Sequence, residues 1–260
     1  MIDIRSPITL EVLLQVPNDS LAGIDLRDAT LEEADLENCD LQNANLTGAN
    51  LTGAFLNRAN LSAAKLIGAN LATACLFAAD LSTATLTDAN LTRTLLIRAN
   101  LENANLTSVV AQYANFRNAN LSHVKLNFAN LIRCNLGGAT LIEGQFNRAV
   151  LMGCGMIQAN ATGAKFDGVE LAGADLRATN FEGASLRGAD LTRAELSLAN
   201  LTGADLSNAI LRGADFTEAI LEDVDLTGAE YDSTTLWPPD FRPSDYGAST
   251  EPSRAWWKLW

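Results

Sequence analysis

The sequence predicts an all-β fold, a solenoid of square coils, from three observations on one unbroken stretch. From position 21 to position 236 an apolar residue recurs every five residues, 44 times, and 35 of these centres are Leu. Ala stands two residues before 31 of the centres, and Asn or Asp stands one residue before 23 of them. A period of five fits neither the 3.6-residue period of a helix nor the two-residue period of a strand. Such self-similarity indicates a repeat architecture.

The repeat closes into coils if every fifth residue points inward and a turn follows it. Four segments then form a square coil of 20 residues, and the 44 segments form about 11 coils. Parallel backbone pairing between coils sets a rise of roughly 4.8 Å per coil, and hence a rod about 50 Å long. Asn and Asp suit the turns because their side chains bond to neighbouring backbone. Ala111 falls in the same predicted layer as Phe116, and Ala161 in the same layer as Phe166, which conserves core volume.

The repeated phrase A(D/N)LXX, seen at residues 44–48 (ANLTG) and 189–193 (ADLTR), resembles the repeats of the pentapeptide-repeat family. The resemblance covers most of the chain, from position 21 to position 236. It implies a right-handed quadrilateral β-helix. Many such proteins come from cyanobacteria, and residues 231–247 resemble the tail of some of these. The family has few known functions, so the resemblance implies a fold and not a role.

Residues 1–20 break the repeat and predict an N-terminal helical cap. Ser6 is placed as the N-cap and Pro7 as the first helical residue, with apolar residues from Ile8 to Leu14 behind them. Pro17 ends the segment. A cap would cover the open end of the first coil, and the alternative is a helix that docks on a partner.

Residues 237–260 also leave the repeat, after the β-helix domain assigned to residues 21–236. Trp237 is followed by two prolines, which cannot donate to a backbone ladder. The chain ends in an aromatic run that contains Trp256, Trp257 and Trp260. We expect an irregular cap or a contact with another protein. Membrane contact is disfavoured because one lysine beside three tryptophans is a poor anchor.

Charge divides the rod into acidic ends and a basic waist. The net charge is −13, with −8 over residues 1–40, +5 over residues 41–165 and −10 over residues 166–260. No apolar run approaches the ~20 residues that cross a bilayer. No charged-then-apolar leader opens the chain, so we expect no signal peptide and a cytoplasmic location. The acidic ends disfavour direct binding of nucleic acid.

Residues that could carry chemistry are few, and the sequence predicts no enzyme, cofactor, metal or small-molecule substrate. The single histidine, His123, falls at a predicted outer corner. Cys134 and Cys154 stack in neighbouring coils, but parallel side chains and a reducing compartment disfavour a disulfide. Glycines cluster between positions 137 and 155, where Gly144 takes an inward position. This cluster indicates tolerated drift, a bend or a partner site.

Outward positions near the waist carry apolar residues where the rest of the chain carries Asn, Asp, Thr or Ser. Steps of one full coil place them side by side on one face and the face next to it, with arginines at the nearby corners. A contiguous apolar patch rimmed by charge typically marks an interface, although scattered apolar residues on a surface are also normal. The predicted partner-binding residues are Phe55, Arg58, Phe77, Leu95, Ile97, Arg98, Tyr113, Ile132 and Met152.

Two functions follow from this reading. The first is a non-catalytic scaffold or regulatory protein that binds a protein partner or a second copy through the waist. The second is implied by the family resemblance, because some pentapeptide-repeat proteins imitate DNA and bind type II topoisomerases such as DNA gyrase. Such mimicry requires negative charge along the whole rod, since duplex DNA carries one charge per ~1.7 Å. The basic waist counts against it, while the Trp-rich end is compatible with the end-to-end dimers of those proteins.

Overall fold

The computed structural model of the chain describes residues 2–17 and 20–250. Its regular elements are two short strands, β1 (Ile2–Arg5) and β2 (Val12–Val16), and one turn of 3-10 helix over Pro243–Tyr246. Between positions 25 and 230 the backbone pairs through single parallel bridges, each joining a residue to its counterpart in the next coil. The predicted coil period of an almost all-β chain is therefore confirmed.

Each side of a coil is a short bridge followed by a tight turn. The Ala49 N–H donates to the Leu46 carbonyl at 3.0 Å, and the residue between them at the corner, Gly48, has a φ of +70°. Every fifth residue from position 23 to position 228 has a positive φ of this kind, whether or not it is glycine. A positive φ at the third residue is the mark of a type II turn, and this repeated turn closes each coil.

The Asn and Asp residues that precede the centres lie on the ladder, next to the turn rather than inside it. The Asn45 Oδ1 accepts the N–H of Thr47, the first residue of the following turn, at 3.3 Å. The Asn45 N–H itself donates to the Ile24 carbonyl of the preceding coil at 2.8 Å. One residue type thus pairs two coils and holds the turn that follows it.

The core is one column of side chains along the axis, and almost all of the repeat centres are fully buried. Phe146 and Phe166 stack with ring centroids 4.7 Å apart, and Phe181 meets Phe166 edge-on at 5.7 Å. Ala161, the small centre predicted to share a layer with Phe166, is also fully buried. The backbone ladder continues through Gly144, whose carbonyl accepts the Lys165 N–H at 2.8 Å.

The predicted N-terminal helix is wrong, because the segment forms an antiparallel hairpin of β1 and β2. The Ser6 Oγ does accept the N–H groups of Ile8 and Thr9, both at 3.2 Å, as an N-cap would. The turn stops there because Leu10 takes a φ of +62° and the Ser6 N–H pairs with the Glu11 carbonyl at 3.1 Å. β-branched residues in alternation favour strands over a helix.

The hairpin still covers the first coil. Ile4 and Val16 are 2 % and 3 % exposed and belong to the same core cluster as Leu21 and Leu26. The Arg5 carbonyl accepts the Asp35 N–H at 2.8 Å, which joins the hairpin to the ladder. The two strands therefore serve the covering role that the sequence assigned to a helix.

The repeat register slips by one residue after Tyr231, which differs from the sequence-based register. Asp215 pairs with Leu236 instead of the residue before it, so Leu236 occupies a ladder position and is 53 % exposed. Trp237 takes the inward position instead and stacks on Phe216 at 4.7 Å. Thr235 accordingly lies in the small-residue position, with its Oγ1 donating to the Leu211 carbonyl at 2.9 Å.

Candidate protein-binding face

Much of the rod's polar surface is occupied by hydrogen bonds within the rod. On the face that carries Asp80, the Asn100 amide donates to the Asp80 carboxylate at 3.1 Å, and the Asn120 amide donates to Asn100 at 3.2 Å. Elsewhere Asn and Thr side chains form hydrogen bonds within one coil, as the Thr52 hydroxyl does when it donates to the Asn50 Oδ1 at 2.6 Å. Such surfaces have much of their bonding capacity already satisfied.

The face that carries the predicted partner residues differs. Phe55, Cys75 and Leu95 stand at consecutive ladder positions, where the bridges Phe55↔Cys75 and Cys75↔Leu95 place them side by side. Phe77 and Ile97 are neighbours in the same two coils, since the backbone N–H that follows Phe77 donates to the Ile97 carbonyl at 3.0 Å. Phe77 is 36 % exposed and Leu95 is 41 % exposed. The structure therefore brings these five side chains together.

The presence of Cys75 at a ladder position where Asn or Asp is usual changes the local hydrogen bonding. An Asn at position 75 would accept the N–H of Phe77, as Asn115 does for Arg117 at 3.1 Å, but Cys75 offers no such oxygen. The Phe77 N–H donates instead to the Asn57 Oδ1 of the preceding coil at 3.0 Å. At Cys75 a bond to the preceding coil thus replaces the usual bond within the turn.

The remaining apolar residues lie across the next corner. The Tyr113 N–H donates to the Ile132 carbonyl, and the Arg133 N–H donates to the Met152 carbonyl, both at 3.0 Å, so these side chains occupy successive coils. Tyr113 is 46 % exposed, and the Arg93 guanidinium lies over its ring at 5.8 Å. We use the name waist patch for Phe55, Arg58, Phe77, Leu95, Ile97, Arg98, Tyr113, Ile132 and Met152.

The arginines at the rim of the waist patch are exposed. Arg58 and Arg98 lie at one corner of the rod, and Arg93 and Arg133 lie at the other. Within residues 2–17 and 20–250, none of these four forms an ion pair. A guanidinium in this state offers its donors to a carboxylate on another molecule.

A cleft of about 570 Å³ opens beside the waist patch. The signal in the sequence was the glycine cluster, which by itself did not separate a bend from a partner site. Gly137 and Gly155 form its floor, and Arg117 and Arg133 belong to its rim. We use the name glycine cleft for the space lined by Arg117, Asn118, Arg133, Cys134, Asn135, Gly137, Gly138, Gly155, Ile157, Gln158 and Asp175.

Charge in the glycine cleft is dominated by its free arginines. The Arg177 guanidinium donates to both oxygens of Asp175, from Nε to Oδ1 and from Nη2 to Oδ2, each at 2.7 Å. These bonds hold the pKa of Asp175 below its ordinary value. Asp175 is the only carboxylate among the residues that line the cleft, and the positive charge of Arg177 balances its negative charge. Arg117, in contrast, has no ion pair among the described residues.

The thiols and the histidine occupy ordinary positions in the solenoid. All four cysteines are free thiols. A hydrogen bond with Cys134, together with burial, raises the pKa of the Cys154 thiol. Burial and the Glu37 carboxylate raise the pKa of Cys75 beside the waist patch. His123 lies at an exposed corner with its Nδ1 3.4 Å from the Glu143 Oε2.

The part of the chain that the structure describes offers neither a cluster of metal ligands nor a membrane-spanning helix. It contains no group of three or more His, Cys, Asp or Glu side chains placed to bind a metal ion. It also contains no helix with the length and hydrophobicity to span a bilayer. Of the four tryptophans predicted to cap the rod or contact a partner, Trp237 lies against the core, while Trp256, Trp257 and Trp260 lie outside the described residues.

Comparison with known proteins identifies the repeat. The sequence model for pentapeptide repeats matches eight copies, and the matched residues include 20–58, 44–82, 84–122, 119–156, 129–168, 156–193 and 194–230. HetL, a pentapeptide repeat protein involved in heterocyst differentiation regulation from the cyanobacterium Nostoc sp. strain PCC 7120, is 33 % identical. The alignment covers 82 % of this chain and 92 % of HetL, with a TM-score of 0.59. These matches support a right-handed β-helix.

Other similar structures match less of the fold. The pentapeptide repeat protein alr5209 from Nostoc PCC 7120 is 38 % identical over 40 % of this chain and 83 % of its own, with a TM-score of 0.36. QnrB1, a plasmid-mediated fluoroquinolone resistance protein, is 18 % identical over 71 % of this chain and 92 % of its own, with a TM-score of 0.39. No protein with curated annotation matches the sequence.

Proposed function

Because the chain belongs to the pentapeptide-repeat family, we propose that it is a non-catalytic binding protein that presents the waist patch to a protein partner or a second copy. The supporting observation is the apolar ladder of Phe55, Cys75 and Leu95. It stands where other faces carry Asn or Asp residues that bond to their own turns. A rod of stacked coils holds such a patch rigid, since each repeat is fixed by its neighbours.

The energetics favour an interface over neutral drift. Cys75 offers no oxygen to its own turn, but the Phe77 N–H bonds to Asn57 of the preceding coil instead, so the number of hydrogen bonds is kept. Burying a side chain such as Phe77 against a partner contributes about 1.5–3 kcal/mol. Several such residues in adjacent coils, with arginine and tyrosine among them, resemble the anchors that carry most of the energy of an interface.

The chemistry of the waist patch supports binding rather than catalysis. The Cys75 thiol lies beside it, and burial and Glu37 raise the pKa of that thiol. A raised pKa keeps the thiol protonated, and the thiolate is the reactive form. The side chains of the patch itself are apolar, aromatic or permanently charged.

A DNA mimic is the less favoured function. Mimicry of a duplex requires regularly spaced negative charge along the rod. The exposed arginines at positions 58, 93, 98 and 133 interrupt any such series in the middle of the chain. We therefore expect excess protein to leave supercoiling by DNA gyrase unchanged. Inhibition of supercoiling would instead support the DNA-mimic function.

The test of the proposed function is a capture experiment with matched charge variants. Purified protein is used as bait in cyanobacterial lysate, and the wild type is compared with the Phe77→Asp, Ile97→Asp double variant. The control is Thr87→Asp, Thr107→Asp, which adds the same charge at the same turn positions on another face. Circular dichroism verifies that both variants are folded.

The proposal predicts a ligand that the wild type and the control retain and the patch variant loses. Sedimentation velocity on the same three proteins shows whether that ligand is a second copy. A ligand retained equally by all three proteins would overturn the assignment of the waist patch.

A further inference from the structure

The waist patch continues along the rod into the glycine cleft. Phe77, Ile97, Arg117, Gly137 and Ile157 occupy the same turn position in five successive coils. Backbone bonds join each pair of these coils: Arg98 to the Arg117 carbonyl at 2.9 Å, then Asn118 to the Gly137 carbonyl at 3.0 Å. Two apolar side chains, an arginine, a gap and an exposed isoleucine therefore form one straight row parallel to the axis.

The gap in this row, where Gly137 and the neighbouring Gly155 lack side chains, is not required by the backbone conformation. Gly138 takes the positive-φ corner, with a φ of +65°, as Asn118 and Gln158 do in the neighbouring coils, but neither Gly137 nor Gly155 has a positive φ. A β-carbon on Gly155 would meet no atom within 4 Å, and one on Gly137 would lie 3.2 Å from the Asn135 Oδ1. The fold would accept a side chain at Gly155, so the open space there is a feature of the surface.

The rim of the gap selects a negative charge. Arg117 and Arg133 line the glycine cleft, and neither forms an ion pair within the described part of the chain. Asp175 is already bound by Arg177 through two hydrogen bonds. The lining also includes the amide side chains of Asn118, Asn135 and Gln158 and the side chain of Ile157. Arginine binds carboxylates with two parallel hydrogen bonds.

The dimensions favour a single extended chain. The row from Phe77 to Gly137 spans three coil spacings, about 14 Å, a length that an extended segment of about four residues covers. Within this acidic protein the basic waist is the region whose charge complements an acidic ligand.

On these grounds we propose that the Phe77–Ile97 row and the glycine cleft form one groove for an extended acidic segment of a partner protein. An apolar residue of the segment packs on Phe77 and Ile97. An aspartate or glutamate side chain enters the space above Gly137 and Gly155 and binds Arg117 and Arg133. This inference rests on the proposed function, because it specifies the partner of the same face.

The probe is a phage-displayed library of short random peptides, panned on the full-length protein. Enriched peptides are synthesised with a fluorescent label and titrated by fluorescence anisotropy. Gly155→Met fills the cleft without changing its charge, and Arg117→Glu reverses the charge of its rim. The matched controls are Thr140→Met, at a ladder position on another face, and Arg148→Glu, at a distant corner.

We expect enriched peptides to combine Asp or Glu with an apolar residue. Their affinity should fall about tenfold or more in Gly155→Met and Arg117→Glu, because a buried charge pair is broken or blocked, and should stay within about twofold in both controls. Affinity should also fall with added salt. Neutral or basic peptides, or unchanged binding by Gly155→Met, would overturn the inference.

Failure of this inference and failure of the proposed function give different results. If the patch variant Phe77→Asp, Ile97→Asp loses its lysate partner while Gly155→Met and Arg117→Glu keep it, the waist patch stands and the acidic segment is wrong. If binding of acidic peptides requires the cleft while the patch variant keeps its lysate partner, the acidic ligand of the cleft stands and the assignment of the waist patch is wrong. Concentration-dependent self-association that Gly155→Met abolishes would identify a second copy as the occupant and overturn the partner segment.

Discussion

The indole of Trp237 stacks on the ring of Phe216 with centroids 4.7 Å apart and planes 3° from parallel. Phe241 continues the stack at 5.4 Å, and Tyr246 follows Phe241 at 4.8 Å. The aromatic rings thus carry the axial column of the core into the segment that leaves the repeat. The end of the rod is closed by residues that no longer obey its period.

Replacing Trp237 by alanine should destabilise the C-terminal coils, whereas Leu236→Ala should have little effect. A large core residue truncated to alanine costs about 3–5 kcal/mol when fully buried, and for the partly buried Trp237 we expect about 2–3 kcal/mol. Leu236 is 53 % exposed, so its truncation should cost less than about 0.5 kcal/mol. Urea unfolding and amide hydrogen exchange in residues 211–236 measure both. A larger loss of stability in Leu236→Ala than in Trp237→Ala would show that the repeat register continues without a slip to Leu236.

Sequence periodicity predicted the core well because one residue in five carries the same physical constraint. It could not locate the slip after Tyr231, since Leu236 and Trp237 are both apolar and either fits an inward position. At the other end, Ser6 caps a turn in the same way whether a helix or a hairpin loop follows. The capping residue is therefore compatible with both a helix and a hairpin, and packing against the first coil decides which of the two forms.

The binding face was only partly predictable for a related reason. Steps of one coil placed Phe55, Cys75 and Leu95 side by side, as the bridges show. The glycine cleft was missed because the sequence does not reveal φ. Gly138 stands at a corner whose positive φ many other residue types also take, while Gly137 and Gly155 have no positive φ and line the open space of the cleft.

Gly144→Ala should destabilise the rod even though alanine is the usual residue at its position. A β-carbon there would lie 2.8 Å from the Phe146 Cε2 and 3.0 Å from the Leu141 carbonyl oxygen. Overpacking of a tight core costs about 1–3 kcal/mol. The measurement is the free energy of unfolding in urea.

A double variant tests the cause of this effect. Gly144→Ala combined with Phe146→Leu restores the ordinary Ala–Leu pair, so the two changes together should cost less than their sum. Gly155→Ala is the control, because its β-carbon meets no atom within 4 Å. Additive costs in the double variant would show that the Phe146 ring is not what excludes a side chain at Gly144.

Alkylation should separate the cysteines into two classes. Cys39 and Cys75 are partly exposed, whereas Cys134 and Cys154 are 2 % and 0 % exposed. The bond to Cys134 and burial also raise the pKa of Cys154, which lowers its thiolate fraction at pH 8. Iodoacetamide labelling followed by peptide mass spectrometry should modify Cys75 well before Cys154, and urea should remove the difference. Equal rates in the native protein would contradict the buried pair.

Asp175 should make the rod more stable above about pH 4 than its neutral replacement does. Hydrogen bonds from Arg177 lower the pKa of Asp175 in the folded chain, while the unfolded value is about 3.9. A depressed folded pKa contributes stability that is present above the unfolded pKa and is lost as pH falls through the folded pKa. The thermal midpoint of the wild type should therefore exceed that of Asp175→Asn at pH 6, and the gap should close as the pH falls through the depressed pKa of folded Asp175.

The control for this titration is Asp190→Asn, whose carboxylate binds Thr192 of its own turn instead of an arginine. Added salt should narrow the difference between wild type and Asp175→Asn at pH 6, because the Asp175–Arg177 pair is partly exposed and ions screen it. It should have less effect on Asp190→Asn. A gap for Asp175→Asn that persists unchanged to pH 2 would show that the substitution acts through the shape of the glycine cleft and not through its charge.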